Sequence, residues 1–483
     1  MKEWEEYRKR LEYYKVCLQK NPRHMQAADN CMRRSDKMGT VLQSVRSEIF
    51  LHVWAPVITE FVEWVLEEAI KDGKKRLYFL ARDGYMMYLL AKKLVEMRCL
   101  DLDIRYLKVS RSAIRRAEYC FLGREALDTL CSCGMDVSFE KIMKRANLTE
   151  EEALYIARLT GYEDNYKTAL NSGQIYRLKS ELSRIDPLFV YMQKHSADHY
   201  ETTVAYLRQE GLFQEISYAL VDSGWVGTLQ LSLQRVLEHE TGREIRLQGY
   251  YFGIYERPKG TTKGQYRAFY FRERHIRRKI RFSNCLFETV FSAPEGMTCG
   301  YGMSGQKVSK LLGLTGADDK KYEAIENENK NPNAEVMKCF TELLMRYVSY
   351  YGVTGNDADL SGDEAAGNEE NHKKRIRFVE CLLKPMMGSP TRLEAEAFGE
   401  LLFCDDVLEL QLQPVAAVWK EEELYKRRFF YRILIRMDLK SGTLPESAWA
   451  EGSITRLGKQ VDKNMRQERL YKSFMYLRKA IGK

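Results

Sequence analysis

The segment Tyr218–Thr228, with the sequence YALVDSGWVGT, constrains the fold of this chain more than any other. A short apolar run leads to Asp222, a Gly-x-x-Gly-Thr turn begins at Gly224, and an apolar-periodic segment covers Leu229–Leu237. This order predicts a buried strand, a tight loop and a helix. A glycine loop at a helix N-terminus offers free backbone N–H groups to a phosphate. An aspartate at the strand end can reach sugar hydroxyls or a metal beside that phosphate, so the segment predicts a sugar-phosphate site.

A second segment of the same kind lies earlier in the chain. Arg76–Leu80 is a short apolar run typical of a buried parallel strand. It is followed by the turn Arg82–Gly84, a predicted helix over Tyr85–Arg98 and a predicted strand over Ile104–Val109. Alternation of strands and helices predicts a parallel sheet, and therefore the α/β class.

The remaining segments are predicted to be mainly helical. Around the Asp222 turn, strands are expected at Ile216–Val221 and Leu247–Tyr255. The predicted domains are an N-terminal helical extension (1–44), an α/β domain (45–300) with a helical insertion (115–215), a helical connector (301–355), a flexible linker (356–371) and a helical C-terminal region (372–483).

Composition limits the class of protein. The chain has 483 residues, of which 45% are hydrophobic and 12% aromatic, so it can bury a substantial core. A net charge of +9 suits an anionic substrate or a membrane surface. The basic residues do not form the concentrated stripe that is typical of a nucleic-acid-binding protein. We find no signal peptide and no apolar run of about 18 residues that would span a membrane. The expected location is the cytoplasm.

The first turn carries both charges that a pyrophosphate site needs. Arg82 can fork onto phosphate oxygens, Asp83 can hold Mg²⁺ and Gly84 can let the backbone approach a ligand. The alternative is an ordinary turn with a surface ion pair. For the second turn, the alternative is a structural glycine turn in which Asp222 caps the helix.

Two further positions are candidates. Lys108, Ser110 and Arg111 surround the end of another predicted strand, although Ser110 is also suited to be a helix N-cap. Glu288 lies in apolar surroundings and is a candidate general base with a raised pKa. A buried ion pair between Glu288 and a nearby arginine is the alternative.

Four motifs together resemble a known family. They are Tyr78–Tyr85 (YFLARDGY), Tyr106–Arg111 (YLKVSR), Val221–Gln230 (VDSGWVGTLQ) and Glu288–Gly296 (ETVFSAPEG). The set resembles a bacterial domain found beside, or fused to, haloacid-dehalogenase-type phosphatases in surface-polysaccharide gene clusters. That domain is similar to phosphoribosyltransferases.

The resemblance implies a phosphoribosyltransferase-like, Rossmann-like sheet and a glycosyltransferase activity. Such an enzyme moves 5-phosphoribose from phosphoribosyl pyrophosphate to a lipid-linked glycan, after which a phosphatase leaves ribofuranose. The implied catalytic residues are Asp222, Glu288 and Asp83, with Mg²⁺ held by Asp83 and Asp222. The implied substrate-binding residues are Arg82, Gly84, Tyr85, Lys108, Ser110, Arg111, Ser223, Gly224, Trp225, Val226, Gly227 and Thr228.

The sequence departs from ordinary phosphoribosyltransferases, which have two adjacent acids before a longer loop. Here Ser223 stands at the second acidic position, which argues against a nucleotide-salvage enzyme. No Asp-x-Asp-x-(Thr/Ser) motif follows a hydrophobic strand, so the phosphatase is expected to be a separate protein.

Two other functions remain open at the level of sequence. One is a glycosyltransferase with a nucleotide-sugar donor in the same crevice. The other is a non-catalytic scaffold for polysaccharide assembly. The basic, aromatic segments Lys426–Arg428 and Arg469–Lys479 indicate peripheral contact with the inner face of the membrane, with core packing as the alternative.

Overall fold

The computed structural model describes residues 2–33, 40–132, 137–273, 277–303, 322–326, 331–353, 365–403, 412–437, 439–440 and 444–481. Within these ranges the fold is α/β and contains a five-stranded, all-parallel sheet. The sheet strands are β1 (Arg76–Leu80), β2 (Asp103–Leu107), β3 (Tyr218–Trp225), β4 (Gly249–Ile254) and β5 (Tyr266–Phe271).

The strand order in the sheet is β2-β1-β3-β4-β5. The order reverses between β1 and β3, because the chain winds to one side from β1 to β2 and to the other from β3 to β5. In open α/β sheets a crevice forms at such a point, outside the carboxyl ends of the strands. The fold therefore places a crevice where the two motif turns lie.

Helices account for most of the remaining described residues. They are α1 (Lys2–Leu18), α2 (Pro22–Arg33), α3 (Val41–Ile49), α4 (Ala55–Lys71), α5 (Gly84–Arg98), α6 (Arg111–Leu122), α7 (Leu127–Leu130), α8 (Phe139–Arg145), α9 (Glu150–Thr160), α10 (Ser172–Leu182), α11 (Asp186–Gln209), α12 (Thr228–Thr241), α13 (Asn284–Phe291), α14 (Ala334–Val353), α15 (Ala365–Gly388), α16 (Arg392–Gly399), α17 (Phe429–Arg436), α18 (Ala450–Leu457) and α19 (Val461–Ile481). Two short antiparallel pairs complete the fold, β6 (Thr298–Met303) with β7 (Tyr322–Glu326), and β8 (Leu402–Phe403) with β9 (Gln413–Pro414).

Each face of the sheet is covered by its own set of helices. On one face, Phe79 and Val221 belong to a core that extends from Tyr7 in α1 through Trp54 to Trp449 near the C-terminal end. On the other face, β1–β3 pack against α6, α11 and α12. Distant parts of the chain thus share the core on the first face.

The helical segment after β2 has a core of its own. Its cluster runs from Tyr119 to Met192 and is separate from the two cores on the sheet. The predicted helical character of residues 115–215 is confirmed for the part that the structure describes.

The longest apolar helix is buried. Residues Val41–Lys71 form a continuous helix that is long and apolar enough to cross a membrane, contrary to the sequence expectation, but its apolar window lies entirely inside the protein. Such burial is typical of a core helix. A π-helical segment, Phe50–Trp54, lies just before Pro56 within this helix.

Several predicted boundaries were wrong. The strand predicted to end at Val221 runs on to Trp225, and β5 was not predicted. The strand predicted at Ile104–Val109 ends at Leu107. Of the predicted linker, residues 356–364 lie outside the described residues, whereas residues 365–371 form the first turns of α15.

Candidate functional site

The turns that follow β1 and β2 open onto the same edge of the sheet as the end of β3. Arg82 and Asp83 follow β1, Arg111 follows β2, and Asp222 lies on β3 between them and β4. β1 and β3 pair only as far as Phe79 and Val221, and β3 continues beyond this point for Asp222–Trp225. From Asp222 onward, the edge of β3 that faces away from β4 is therefore not paired with β1.

A hydrogen bond joins the two turns. Ser223 Oγ donates to Oδ2 of Asp83 at 2.7 Å. Ser223 is buried, while Asp83 keeps partial exposure to the crevice. The serine at the second acidic position thus holds the aspartate of the other turn in place.

The charge of Asp83 destabilises the charge of Asp222. Burial and the neighbouring charge of Asp83 raise the pKa of Asp222 to about 7, against the lowering effects of the Ser223 and Gly224 backbone and of Arg111. Burial also raises the pKa of Asp83 above its usual range, although Ser223 and the nearby arginines act in the opposite direction. A cation between these two carboxyls would offset the cost of ionising them.

Glu288 lies in the same charged cluster. It comes from α13, whose N-terminus is capped by Ser283, and it accepts a hydrogen bond from Trp225 Nε1. Burial and the charge of Asp83 raise the pKa of Glu288 to about 8, while Arg111, Trp225 and Arg82 lower it. A carboxyl that titrates in this range is suited to general-base catalysis near neutral pH.

Two arginines bring positive charge to the crevice. Arg111 acts electrostatically on Asp83, Asp222 and Glu288, and Arg82 acts on Asp83 and Glu288. Arg111 is exposed and Arg82 is half-buried, so both guanidinium groups remain accessible to a ligand. Three carboxyls and two arginines therefore share one site, where arginine can bind phosphate oxygens by paired hydrogen bonds.

A third arginine lies at the start of α12. Arg115 Nη2 contacts Thr228 Oγ1 at 3.4 Å, beside the first turn of this helix. Burial lowers the pKa of Arg115, and the charge of Arg111 adds to this effect. The sequence prediction missed Arg115, although its position one helical turn after Arg111 places both on one face of α6.

The predicted phosphate loop is shorter than expected. Gly224 and Trp225 lie in β3 and pair with β4, so only Val226 and Gly227 connect the strand to α12. A Cβ on Gly224 would lie 2.6 Å from the carbonyl oxygen of Gly253. Gly224 is therefore required by the close approach of two strands, and the backbone N–H groups without a partner inside the helix belong to the N-terminus of α12.

Packing also explains why a glycine stands at position 227 and a tryptophan at position 225. Gly227 has a φ of +71°, and a Cβ there would lie 2.4 Å from the ring of Tyr266. The Trp225 ring is buried against Phe271 and Phe287. Trp225 thus acts on the site through its bond to Glu288.

Other predicted residues support the site from its edges. Ser110 caps α6 by accepting from the Ala113 amide, and its hydroxyl donates to the Thr298 carbonyl oxygen at 2.6 Å. Lys108 Nζ forms an ion pair with Glu326 at 2.8 Å. The N-cap alternative for Ser110 is thus the observed one, and both side chains are engaged by protein groups.

Gly84 and Tyr85 form the first turn of α5. A Cβ on Gly84 would lie 3.1 Å from the Phe79 carbonyl carbon, so the glycine allows the helix to pack closely on β1. The Tyr85 ring packs edge-on against Tyr106, with 5.5 Å between centroids. These contacts position the turn that carries Arg82 and Asp83.

The carboxyls fit a magnesium ion. Among the described residues no group of three histidine, cysteine or acidic side chains is arranged as a metal site. Mg²⁺, however, is commonly held by one or two carboxylates together with substrate phosphates. Asp83 and Asp222, whose charges repel each other, match that requirement.

No protein-family model matches the chain, and no curated protein matches it significantly.

Proposed function

We propose that this chain transfers 5-phosphoribose from phosphoribosyl pyrophosphate to a hydroxyl group of a glycan. The observation that carries the proposal is the convergence of Arg82, Asp83, Arg111, Asp222 and Glu288 at the point where the strand order reverses. Both cations and carboxyls are required for a donor that carries phosphate at two ends and a sugar between them.

The donor would lie across the crevice. Its pyrophosphate would bind Arg82 and Arg111, and its 5-phosphate would bind at the N-terminus of α12, with Thr228 and Arg115. Asp222, between the two positions, would accept hydrogen bonds from the ribose hydroxyls. Such an arrangement would correspond to a phosphoribosyltransferase-like fold whose phosphate loop is reduced to a helix start.

The reaction would proceed with inversion at the anomeric carbon. The bond from this carbon to the pyrophosphate oxygen breaks, and its electron pair leaves with pyrophosphate. The acceptor oxygen forms the new bond, and its proton passes to Glu288, with Asp222 as the other candidate base. Bound Mg²⁺ would supply charge stabilisation to the leaving group. Arg82 and Arg111 would stabilise the same developing charge from fixed positions.

The acceptor would enter beside Tyr255. This residue lies close enough to Glu288 and Arg111 for their charges to act on its phenol. The ring of Tyr476, on α19, is 5.9 Å from that of Tyr255, and Lys279 Nζ lies over both rings. Aromatic rings beside the candidate base are suited to stack on a sugar. The product would retain its 5-phosphate, so a separate haloacid-dehalogenase-type phosphatase would have to act next.

Calorimetry with phosphoribosyl pyrophosphate and Mg²⁺ tests donor binding without knowledge of the acceptor. We expect saturable binding that Arg115→Ala weakens by roughly 10- to 100-fold, because a bond to a charged group contributes about 1.5–3 kcal/mol. The matched control is Arg246→Ala, since Arg246 is exposed and pairs with Glu244 away from the sheet edge.

Pyrophosphate release in the presence of glycan acceptors then tests the reaction. Asp222→Asn and Glu288→Gln should lower turnover while leaving the fold intact. Binding of a nucleotide sugar without binding of phosphoribosyl pyrophosphate would refute the proposed donor. Full turnover in both variants would refute the assignment of the site.

A further inference from the structure

Two C-terminal helices expose large apolar side chains on adjacent surfaces. In α17 and just past its end, Phe430, Leu434 and Met437 are 77%, 40% and 57% exposed. Their spacing of four and three residues places them on one helical face. This side of α17 is uncovered in the described structure.

The helix α19 repeats the pattern. Leu470, Phe474 and Leu477 are 54%, 39% and 53% exposed and have the same spacing. Phe429 connects the two helices, since its ring centroid lies 5.3 Å from that of Phe430 and 5.8 Å from that of Phe474. We call these six exposed residues the C-terminal apolar face.

A buried ion cluster fixes the two helices to each other. Glu468 Oε2, on α19, accepts hydrogen bonds from Arg427 and Arg432, each at 2.6 Å. All three side chains are buried. The apolar face is therefore presented by a rigid pair of helices, since separating them would leave buried charges unpaired.

The surroundings of the apolar face are strongly basic. Residues 426–440 contain six basic side chains and one acidic side chain, Asp438, which lies outside the described residues. The exposed basic side chains of the two helices and of the residues that flank α17 are Arg428, Arg436, Lys440, Lys463, Arg466 and Arg478, and Asp462 is an exposed acidic side chain at the start of α19. Exposed aromatic and aliphatic side chains flanked by arginine and lysine match an anionic lipid surface.

The same charges disfavour self-association through this surface. Two copies of the chain that met face to face would bring like-charged arginines together, which costs free energy. We propose that the C-terminal apolar face docks the protein on an anionic lipid bilayer.

The docked surface lies on the helix that also reaches the site. Tyr476 is on α19, between the exposed Phe474 and Leu477, and its ring contacts Tyr255. Docking would therefore bring the crevice close to the lipid surface, where a lipid-linked acceptor would be. The docking itself does not depend on the proposed reaction.

Co-sedimentation of the full chain with vesicles tests the docking. We expect binding to phosphatidylcholine vesicles that contain phosphatidylglycerol, and binding to pure phosphatidylcholine that is at least about tenfold weaker. Arg428→Gln with Arg436→Gln should weaken binding roughly 25-fold, because each basic residue near an anionic surface contributes about a factor of five.

The apolar contribution has its own variants. Phe430→Ser with Phe474→Ser should weaken binding by about tenfold or more, since each aromatic ring loses its burial in lipid. The matched control is Tyr176→Ser, on α10, where an equally exposed aromatic residue lies outside the face. Circular dichroism should show unchanged folding, and pyrophosphate release with a water-soluble acceptor should also be unchanged.

Three results would overturn the docking proposal. The first is no binding of the unaltered chain to anionic vesicles, and the second is equal loss of binding in the Tyr176→Ser control. The third is a lipid-free dimer that Phe430→Ser with Phe474→Ser converts to a monomer, because the face would then be an interface between copies. If the chain does not bind vesicles but still binds the donor, the proposed function stands. If it binds vesicles but not the donor, the docking proposal stands.

Discussion

The three-carboxyl site should make the folded protein less stable as the pH rises through neutrality. The pKa of Asp222 is about 7 in the folded protein, whereas its ordinary value is 3.8. Between these values the folded state holds a proton that the unfolded state has lost. The free energy of unfolding should therefore fall by about 1.4 kcal/mol per pH unit for each such carboxyl.

The substitution Asp222→Asn removes the pH dependence of stability that this carboxyl causes. An asparagine side chain can still accept from the backbone amides of Ser223 and Gly224, so the local geometry should persist. From pH 5 to pH 7, the stability of the original chain should fall relative to that of the variant by about 2 kcal/mol, because the carboxyl is only half ionised in the folded protein at pH 7.

Urea unfolding at several pH values between 5 and 8, followed by circular dichroism, measures this difference. The matched control is Asp101→Asn, because Asp101 is exposed and its pKa is lowered by Lys75. The control should keep the pH dependence of the original chain. If the stability of Asp222→Asn follows pH in parallel with that of the original chain, Asp222 titrates normally and the three carboxyls do not form a shared, half-buried site.

Three further predictions follow from the site and its supports. Trp225→Phe removes the bond that lowers the pKa of Glu288, so the rise of pyrophosphate release with pH should move about one pH unit higher. Gly227→Ala should lower the free energy of unfolding by roughly 2–4 kcal/mol in urea, because its φ is positive and Tyr266 occupies the space. Phosphoribosyl pyrophosphate with Mg²⁺, at about 100 times its dissociation constant, should stabilise the protein by about 2.7 kcal/mol in thermal unfolding, and a chelator should abolish most of this gain.

The parallel sheet was predictable where apolar runs are short and bounded by turns. Arg76–Leu80 was predicted with its observed bounds, because five apolar or strand-compatible residues lie between a glycine turn and a charged turn. β5 was missed because Tyr266–Phe271 begins an arginine- and aromatic-rich segment. In the fold, the Arg267 side chain lies at the strand's start and pairs with Asp72, which no local pattern reveals.

The end of β3 shows why a glycine can be misread. Gly224 has a φ of +105° and Trp225 a φ of +77°, and glycine followed by a second glycine three residues later predicts a loop. The strand nevertheless continues, because β4 comes so close that only glycine fits at position 224. Such a close approach is a property of two strands and is absent from the local sequence.

The meeting of Arg82 and Asp222 at one crevice was predictable because parallel strands end at a common edge. The order of the strands in the sheet could not be predicted from the sequence. The hydrogen bond from Ser223 to Asp83 could not be predicted either, because it depends on β1 and β3 being neighbours. The contact of Arg115 with Thr228 could not be predicted, because it depends on α6 and α12 lying side by side.

The core on the first face of the sheet has a consequence for synthesis of the protein. Tyr14 in α1 donates to Glu394 in α16, a buried hydrogen bond that spans 380 residues. At about 5–20 residues per second, a ribosome needs roughly 20 to 75 s to add the partner of the first helix. During that interval the apolar side of α1 and of the Val41–Lys71 helix has no complete cover. Binding by a chaperone, or temporary packing of these helices against one another, would shield the apolar surface until the last quarter of the chain emerges.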